Sequence, residues 1–251
     1  MSPGAGTPAP SPAAPGPAAA VLISPIGAPP RLVDPHEAHV SLEDQGLTRG
    51  DGVFETLHVL DGTAYKLDAH LVRLGHSAGT AQLPAPSADT WREALTTALA
   101  AAGPGARDPS ADLGAEHTVK LSISRGVPGD QPWAWLTVAP VPKRTFAARR
   151  TGVSVVLLER GHDPAEDTGL PWLLPGVKTL SYAVNMAAVR YAHAHGAQDA
   201  VFMTSTDHRI LEGATSSVVC ARHDDGAAPT LLYAYGGFEV SLTPAFSNVR
   251  G

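Results

Sequence analysis

The period of the apolar residues switches along this chain, and that switch constrains the fold more than any other feature. From Val53 to Val59 apolar and polar side chains alternate, as in a half-buried strand. Asp61-Gly62 is a two-residue hairpin signal, and Thr63 to Leu67 reads as the return strand. The spacing then changes. Leu67, Leu71, Leu74, Ala78 and Ala81 fall on one face of a helix that Asp68 can cap. Trp91, Leu95, Leu99 and Ala102 repeat the pattern on a second helix, opened by Ser87 or Asp89 and ended by Gly103. Thr118 to Ser124 returns to alternation, with Val119, Leu121 and Ile123 inward, and Trp133 to Val141 is a further strand. The chain therefore reads as mixed α/β.

The same alternation of elements continues after Pro140, Pro142 and Lys143-Arg144, which read as a linker. Val153 to Leu158 is a continuous apolar strand, and the irregular loop 159–177 is long enough to suggest function. Ser181 to His195 is expected to be a helix stopped by Gly196, followed by strands at Ala200–Thr204, Arg209–Glu212, Ser217–Ala221 and Thr230–Ala234. The expected organisation is a small α/β lobe over residues 31–142 and a larger lobe over 143–251. Residues 1–30 hold nine prolines, eight alanines and no charged side chain, so they are expected to form a disordered tail.

Composition removes several classes of function. The net charge is -6 and no basic cluster exceeds two in a row, which argues against nucleic acid or an anionic membrane as partner. No apolar run reaches the roughly 18 residues of a membrane span. No basic segment precedes the Ala-rich N-terminus, so a cytoplasmic location is expected. A single cysteine, Cys220, excludes an intramolecular disulfide and a cysteine-based zinc cluster. It alternates with Val218 and reads as core. His36-Glu37-Ala38-His39 lacks the i,i+4 histidine spacing of a zinc helix, so no metal is expected.

The candidate chemistry centres on one lysine. Of four lysines, Lys66, Lys120 and Lys143 read as ordinary strand or linker residues. Lys178 follows Leu173-Leu174-Pro175-Gly176-Val177 and precedes an Ala-rich helix. Apolar surroundings disfavour an ammonium and lower its pKa, and a neutral amine can form a Schiff base. In isolation the same residue also reads as a surface lysine in a turn. Glu212 precedes the hydroxyl-rich Gly213-Ala214-Thr215-Ser216-Ser217, a setting that suits a pyridinium partner beside an anion-holding loop, or equally a plain strand-end turn. Arg73 on the first helix could clamp a phosphate or simply face solvent.

The order of these signals carries a family resemblance. Leu47 to Thr56, Leu67 to Leu74, Lys178 to Met186 and Leu211 to Val219 resemble the fold-type IV pyridoxal-phosphate enzymes, over about residues 30–232. That family contains branched-chain and D-amino-acid aminotransferases and 4-amino-4-deoxychorismate lyase. Pro171-Trp172-Leu173-Leu174 and Lys178 to Met186 are most similar to its lyase members. The resemblance implies a two-lobed α/β fold with pyridoxal 5'-phosphate between the lobes. It implies that Lys178 is the Schiff-base lysine and proton carrier, that Glu212 pairs with the pyridine nitrogen, and that Arg73 binds the phosphate. Tyr182, Ser216 and Ser217 would border the cofactor, with Ser217 in place of the more usual asparagine. Phe54 and Arg49 would lie toward the substrate.

The implied reaction converts 4-amino-4-deoxychorismate to 4-aminobenzoate and pyruvate, toward folate. The alternative is transamination of branched-chain or D-amino acids with the same lysine and glutamate. The implied partners are a small amino substrate and a second copy of the chain in a homodimer. One departure is expected to matter. After the strand at 230–234 the family continues with a Gly/Thr-rich segment that completes the phosphate cup, and Tyr235 to Gly251 does not match it. A truncated or altered C-terminal lobe is thus expected after about residue 232, with weak cofactor binding, or an inactive family member.

Overall fold

The computed structural model describes residues 16–111, 113–160, 170–221 and 230–235. Eleven strands and five helices occur among them. The first half builds a six-stranded antiparallel sheet from β1 (Ala19–Ile23), β2 (Arg31–Val33), β3 (Gly52–Leu60), β4 (Thr63–Ala64), β5 (Glu116–Ser124) and β6 (Trp133–Pro140). The strand order is β2-β1-β6-β5-β3-β4. Helices α2 (Leu67–Thr80) and α3 (Ala88–Ala102) cover one face. Val21, Ile23, Val53, Leu57, Val119, Leu121, Ile123 and Leu136 meet Leu71, Leu74, Trp91 and Leu95 there. Each such side chain removed from water contributes about 1.5–3 kcal/mol, which is why the period-2 and period-3.6 stripes find each other.

The mixed α/β expectation and its main strands hold, with local corrections. The segment expected to be a disordered tail supplies β1, whose five residues are all buried and pair with both β2 and β6. Ala-Ala-Val-Leu-Ile is apolar enough to join a core, and averaging composition over 30 residues hides it. Helix α2 starts at Leu67 after a left-handed Lys66, so Asp68 lies in its first turn rather than at its cap. On α3 it is Ser87 that caps, its Oγ accepting from the Thr90 N–H at 3.1 Å. Two short helices join these elements: α1 (Gln45–Arg49), capped by buried Asp44, and α4 (Lys143–Thr151), where a linker was expected. Phe146 anchors α4, and Arg149 makes two hydrogen bonds of 2.7 and 2.8 Å to buried Glu116.

The second half is a smaller layer. Strands β7 (Val155–Glu159) and β8 (Asp199–Met203) run parallel, and β9 (Ile210–Gly213) pairs antiparallel with β8. Helix α5 (Ala183–Ala194) forms the crossover between β7 and β8 and buries Ala188 and Ala192 against Ala200, Phe202 and Ala214. Strands β10 (Ser216–Ala221) and β11 (Thr230–Tyr235) form a separate antiparallel pair. The expectations for residues 161–169 of the loop 159–177, for the Cys220 side chain and for the chain after 235 fall outside the described residues.

Candidate active site

Two glycines bring the distant Lys178 segment onto β3. The backbone N–H of Phe54 donates to the Lys178 carbonyl at 2.9 Å, and that of Leu180 donates to the Gly52 carbonyl at 2.8 Å. Val53 and Thr179 form an isolated antiparallel bridge between them. A Cβ on Gly52 would collide with the Ile123 carbonyl and with Leu180. A Cβ on Gly50 would lie 2.9 Å from the Cα of Ser181, and Gly50 also has φ +70°. The Gly50-Asp51-Gly52 stretch is thus the seat on which Lys178 to Ser181 rests.

This seating fixes where the lysine amine stands. Lys178 Nζ lies 4.7 Å from the centroid of the Phe54 ring and 5.6 Å from that of Tyr182. The two rings meet edge to face at 5.4 Å. Burial holds the Lys178 amine below the usual lysine range; Glu55 and Glu212 pull it partly back, and Arg73 pushes it further down. The neutral amine is the nucleophilic form. Tyr182 also precedes α5, whose buried Asn185 donates from Nδ2 to the Ala214 carbonyl at 2.7 Å. That bond ties the lysine-bearing segment to the loop after Glu212.

The remaining expected residues divide. Glu212 on β9 is within the electrostatic reach of Lys178, is about half exposed, and accepts from Arg160 at 3.1 Å. The Ser216 hydroxyl is buried with no hydrogen-bond partner among the described residues, a polar atom suited to a ligand. Ser217 is exposed. Arg73 projects from α2, with Nε 2.5 Å and Nη2 2.7 Å from the two oxygens of Glu55. Glu55 is fully buried and also bonds His70 at 2.9 Å. Burial would raise its pKa, but the bonds from His70 and Arg73 outweigh burial and hold it low. Arg49 is exposed and lines a separate cleft of about 740 Å³ with Gln45, Thr48, Val127 and Pro128. The structure thus gathers Lys178, Phe54, Tyr182, Glu212 and Arg73, while the cleft that Arg49 lines includes none of these.

Two residues of this neighbourhood escaped the sequence reading. Glu55 was legible as an oddity, because strand alternation puts it on the apolar face with Val53, Leu57 and Val59. Lys120, read as an ordinary strand lysine, has its Nζ 4.4 Å from the same Phe54 ring that Lys178 touches. Its amine is held low by burial and then by Lys178. No metal-holding group of three or more His, Cys, Asp or Glu occurs among the described residues, and no described helix is long and apolar enough to cross a membrane.

Comparison with known proteins bears on what this arrangement does. The profile of the amino-transferase class IV family matches residues 52–232. A bifunctional aminodeoxychorismate lyase / D-amino acid transaminase of Mycobacterium tuberculosis is 42% identical over 204 residues, covering 80% of this chain and 68% of that protein. A fold IV-transaminase from Curtobacterium pusillum superposes with a TM-score of 0.70 at 39% identity, over 82% of this chain and 70% of that one. The PLP-bound form of a hypothetical aminotransferase from Mycobacterium tuberculosis gives 0.68 at 39% identity, over 80% and 68%.

Proposed function

The chain belongs to the amino-transferase class IV family, whose members are pyridoxal-phosphate enzymes with small amino substrates, and from that premise we propose that it converts 4-amino-4-deoxychorismate to 4-aminobenzoate and pyruvate. The observation that carries the reading is the Lys178 amine, buried over Phe54 and Tyr182 with its pKa pushed down. The residues present fit the cofactor's three handles. The Lys178 amine would take its carbonyl, the Glu212 carboxylate its ring nitrogen, and Arg73 with the orphan Ser216 hydroxyl its phosphate. When bound, pyridoxal phosphate supplies an electron sink for charge developing on the substrate carbon.

The chain's own residues do the rest. Lys178 Nζ takes a proton from the substrate and returns one, a task that a lowered pKa suits better than that of an ordinary lysine. Glu212 would hold a proton on the ring nitrogen by charge-assisted hydrogen bonding. Glu55 fixes the plane of the Arg73 guanidinium before any phosphate arrives. Phe54 and Tyr182 set two aromatic rings beside the amine. Ser217 borders the cofactor, and Arg49 reaches the substrate only if its side chain leaves the cleft it lines.

A second reaction at the same site, transamination of D-amino acids, is favoured by the double name of the Mycobacterium tuberculosis relative. The proposal extends to a cytoplasmic homodimer with lobes joined near residue 143. Exposed Trp172, Leu173, Val184 and Tyr191 supply apolar surface for a subunit contact.

The test begins with pyridoxal phosphate and borohydride, followed by peptide mapping; the pyridoxyl label is expected on Lys178 and absent from Lys178→Ala. Release of pyruvate and fluorescent 4-aminobenzoate without a 2-oxo acid is expected for the lyase. A label elsewhere, or none, ends the reading. Turnover that requires a 2-oxo-acid acceptor leaves only the transaminase.

A further inference from the structure

One guanidinium ties together two parts of the site that lie far apart in sequence. Arg125 follows β5, and its Nε donates to Asp51 Oδ2 at 2.6 Å. Its Nη2 donates to the Ala81 carbonyl at 2.8 Å and its Nη1 to the Gln82 carbonyl at 3.4 Å. Asp51 is the middle residue of the seat on which Lys178 to Ser181 rests. Ala81 caps the C-terminus of α2, about two turns beyond Arg73 on the same helix.

The seat needs such a tie. Gly50 and Gly52 flank Asp51, and glycine leaves a backbone more freedom than any other residue. The Asp51 N–H donates to the Gln45 carbonyl at 3.1 Å, and the Arg125 N–H donates to the Asp51 carbonyl at 3.2 Å. The Arg125 side chain adds the bond to the carboxylate. The end of α2 needs donors too, because the last carbonyls of a helix have no partner within it and a cation suits them. A planar fork reaches acid and carbonyls at once, which a point-like ammonium cannot. Arg125 and Asp51 are 32% and 36% exposed, so their pair adds little to stability. Its main consequence is geometric.

We propose that Arg125 is a positioning residue: through Asp51 it steadies the seat of Lys178, through the end of α2 it steadies the helix of Arg73, and so it fixes the span between amine and guanidinium. The inference rests on the reading of Lys178 and Arg73 as the aldehyde and phosphate ends of one cofactor site. A molecule held at two points gains from the second contact only where the points keep its span. Loosening the tie removes that gain and leaves each point able to bind alone.

The test titrates the full chain and the variants Arg125→Gln and Arg125→Lys with pyridoxal phosphate, with pyridoxal and with inorganic phosphate. Arg125→Gln is expected to weaken pyridoxal phosphate about tenfold or more, with pyridoxal and inorganic phosphate each changed less than about threefold. Arg125→Lys can keep Asp51 but not both carbonyls, so it should recover the urea midpoint and not the affinity for pyridoxal phosphate. In the cofactor-free chain the Phe54 and Leu180 amides bond across the seat to the Lys178 and Gly52 carbonyls. Their hydrogen exchange should quicken about tenfold in Arg125→Gln, while the β5–β6 ladder keeps its wild-type rates. Equal weakening of all three ligands, an unchanged affinity for pyridoxal phosphate, its full recovery by Arg125→Lys, or unchanged exchange at Phe54 and Leu180 would each overturn the proposal. Failure of the wild-type chain to take the pyridoxyl label on Lys178 would instead strike the cofactor reading, and the exchange rates would still decide whether Arg125 holds the seat.

Discussion

The two faces of β3 treat buried charge in opposite ways. Toward α2, Glu55 is fully buried among Val53, Leu57 and Val59, and its carboxylate is held by Arg73 and His70. Toward the site, Lys120 and Lys178 stand against one aromatic ring; burial and then Lys178 lower the Lys120 amine, while Glu55 and Glu212 pull the lowered Lys178 amine partly back. Core charges are satisfied from within the chain, because an uncompensated one would unfold it. At the site Glu212 meets Arg160 and lies within the electrostatic reach of Lys178, and the Lys120 amine has a ring rather than a carboxylate against it. One strand, five residues from Val53 to Leu57, separates the two solutions.

Removing the internal solution should have the largest effect. Glu55→Ala leaves the Arg73 guanidinium and His70 without their acid, which costs about 3–5 kcal/mol for a fully buried pair. The lower end is expected, since Arg73 remains over a third exposed. The midpoint of urea unfolding reads it, and a loss under about 1 kcal/mol would show that the face does not depend on the pair. Next comes the seat shared by both faces. Gly52→Ala drives a methyl into the Ile123 carbonyl and Leu180, for about 1–3 kcal/mol of overpacking. It should also lower the fraction of chain that takes the pyridoxyl label, because Lys178 is placed by that contact. Full labelling of this variant would break the link between glycine and lysine.

These effects also measure what a single sequence can disclose. The strands and both large helices were legible because apolar periodicity is local. Lys178 stood out for its apolar lead-in and family order. Glu55 could have been found, since an acid in register with Val53, Leu57 and Val59 must be paired or misplaced. Lys120 could not. Its alternation with Val119 and Leu121 marks it as outward, and only the return of the chain at 178–182 turns that outward face into an interior. For the same reason β1 was missed: Ala19 to Ile23 looks like part of a Pro/Ala tail until β6 supplies a partner. Arg49 was placed toward substrate by family order; it ends α1 and lines a cleft with Gln45 and Thr48 of the same helix.

On the site face the sign should reverse. Lys120→Met removes an amine that nothing within the described chain compensates, so the cofactor-free variant is expected to gain about 1 kcal/mol at neutral pH. Destabilisation there would mean that the chain itself pairs Lys120, and the contrast between the faces would fail.

The smallest effect is also the one that separates the faces without a substitution. Glu55 has a lowered pKa, so its contribution to stability is present above the ordinary glutamate value of about 4.3 and disappears as pH falls through the folded value. The lysines have lowered pKa values too, but they are bases. Between their folded values and the ordinary value of about 10.4, the unfolded chain binds more protons than the folded one, and stability rises with pH. Urea midpoints of the cofactor-free chain should therefore fall on the acid side because of the core face and climb on the alkaline side because of the site face. The slope cannot exceed about 1.4 kcal/mol per pH unit for each proton. Lys120→Met should flatten the alkaline limb and leave the acid limb in place. An alkaline limb of unchanged slope in that variant would assign the effect to Lys178 alone, and the two amines would no longer count as one unpaired site.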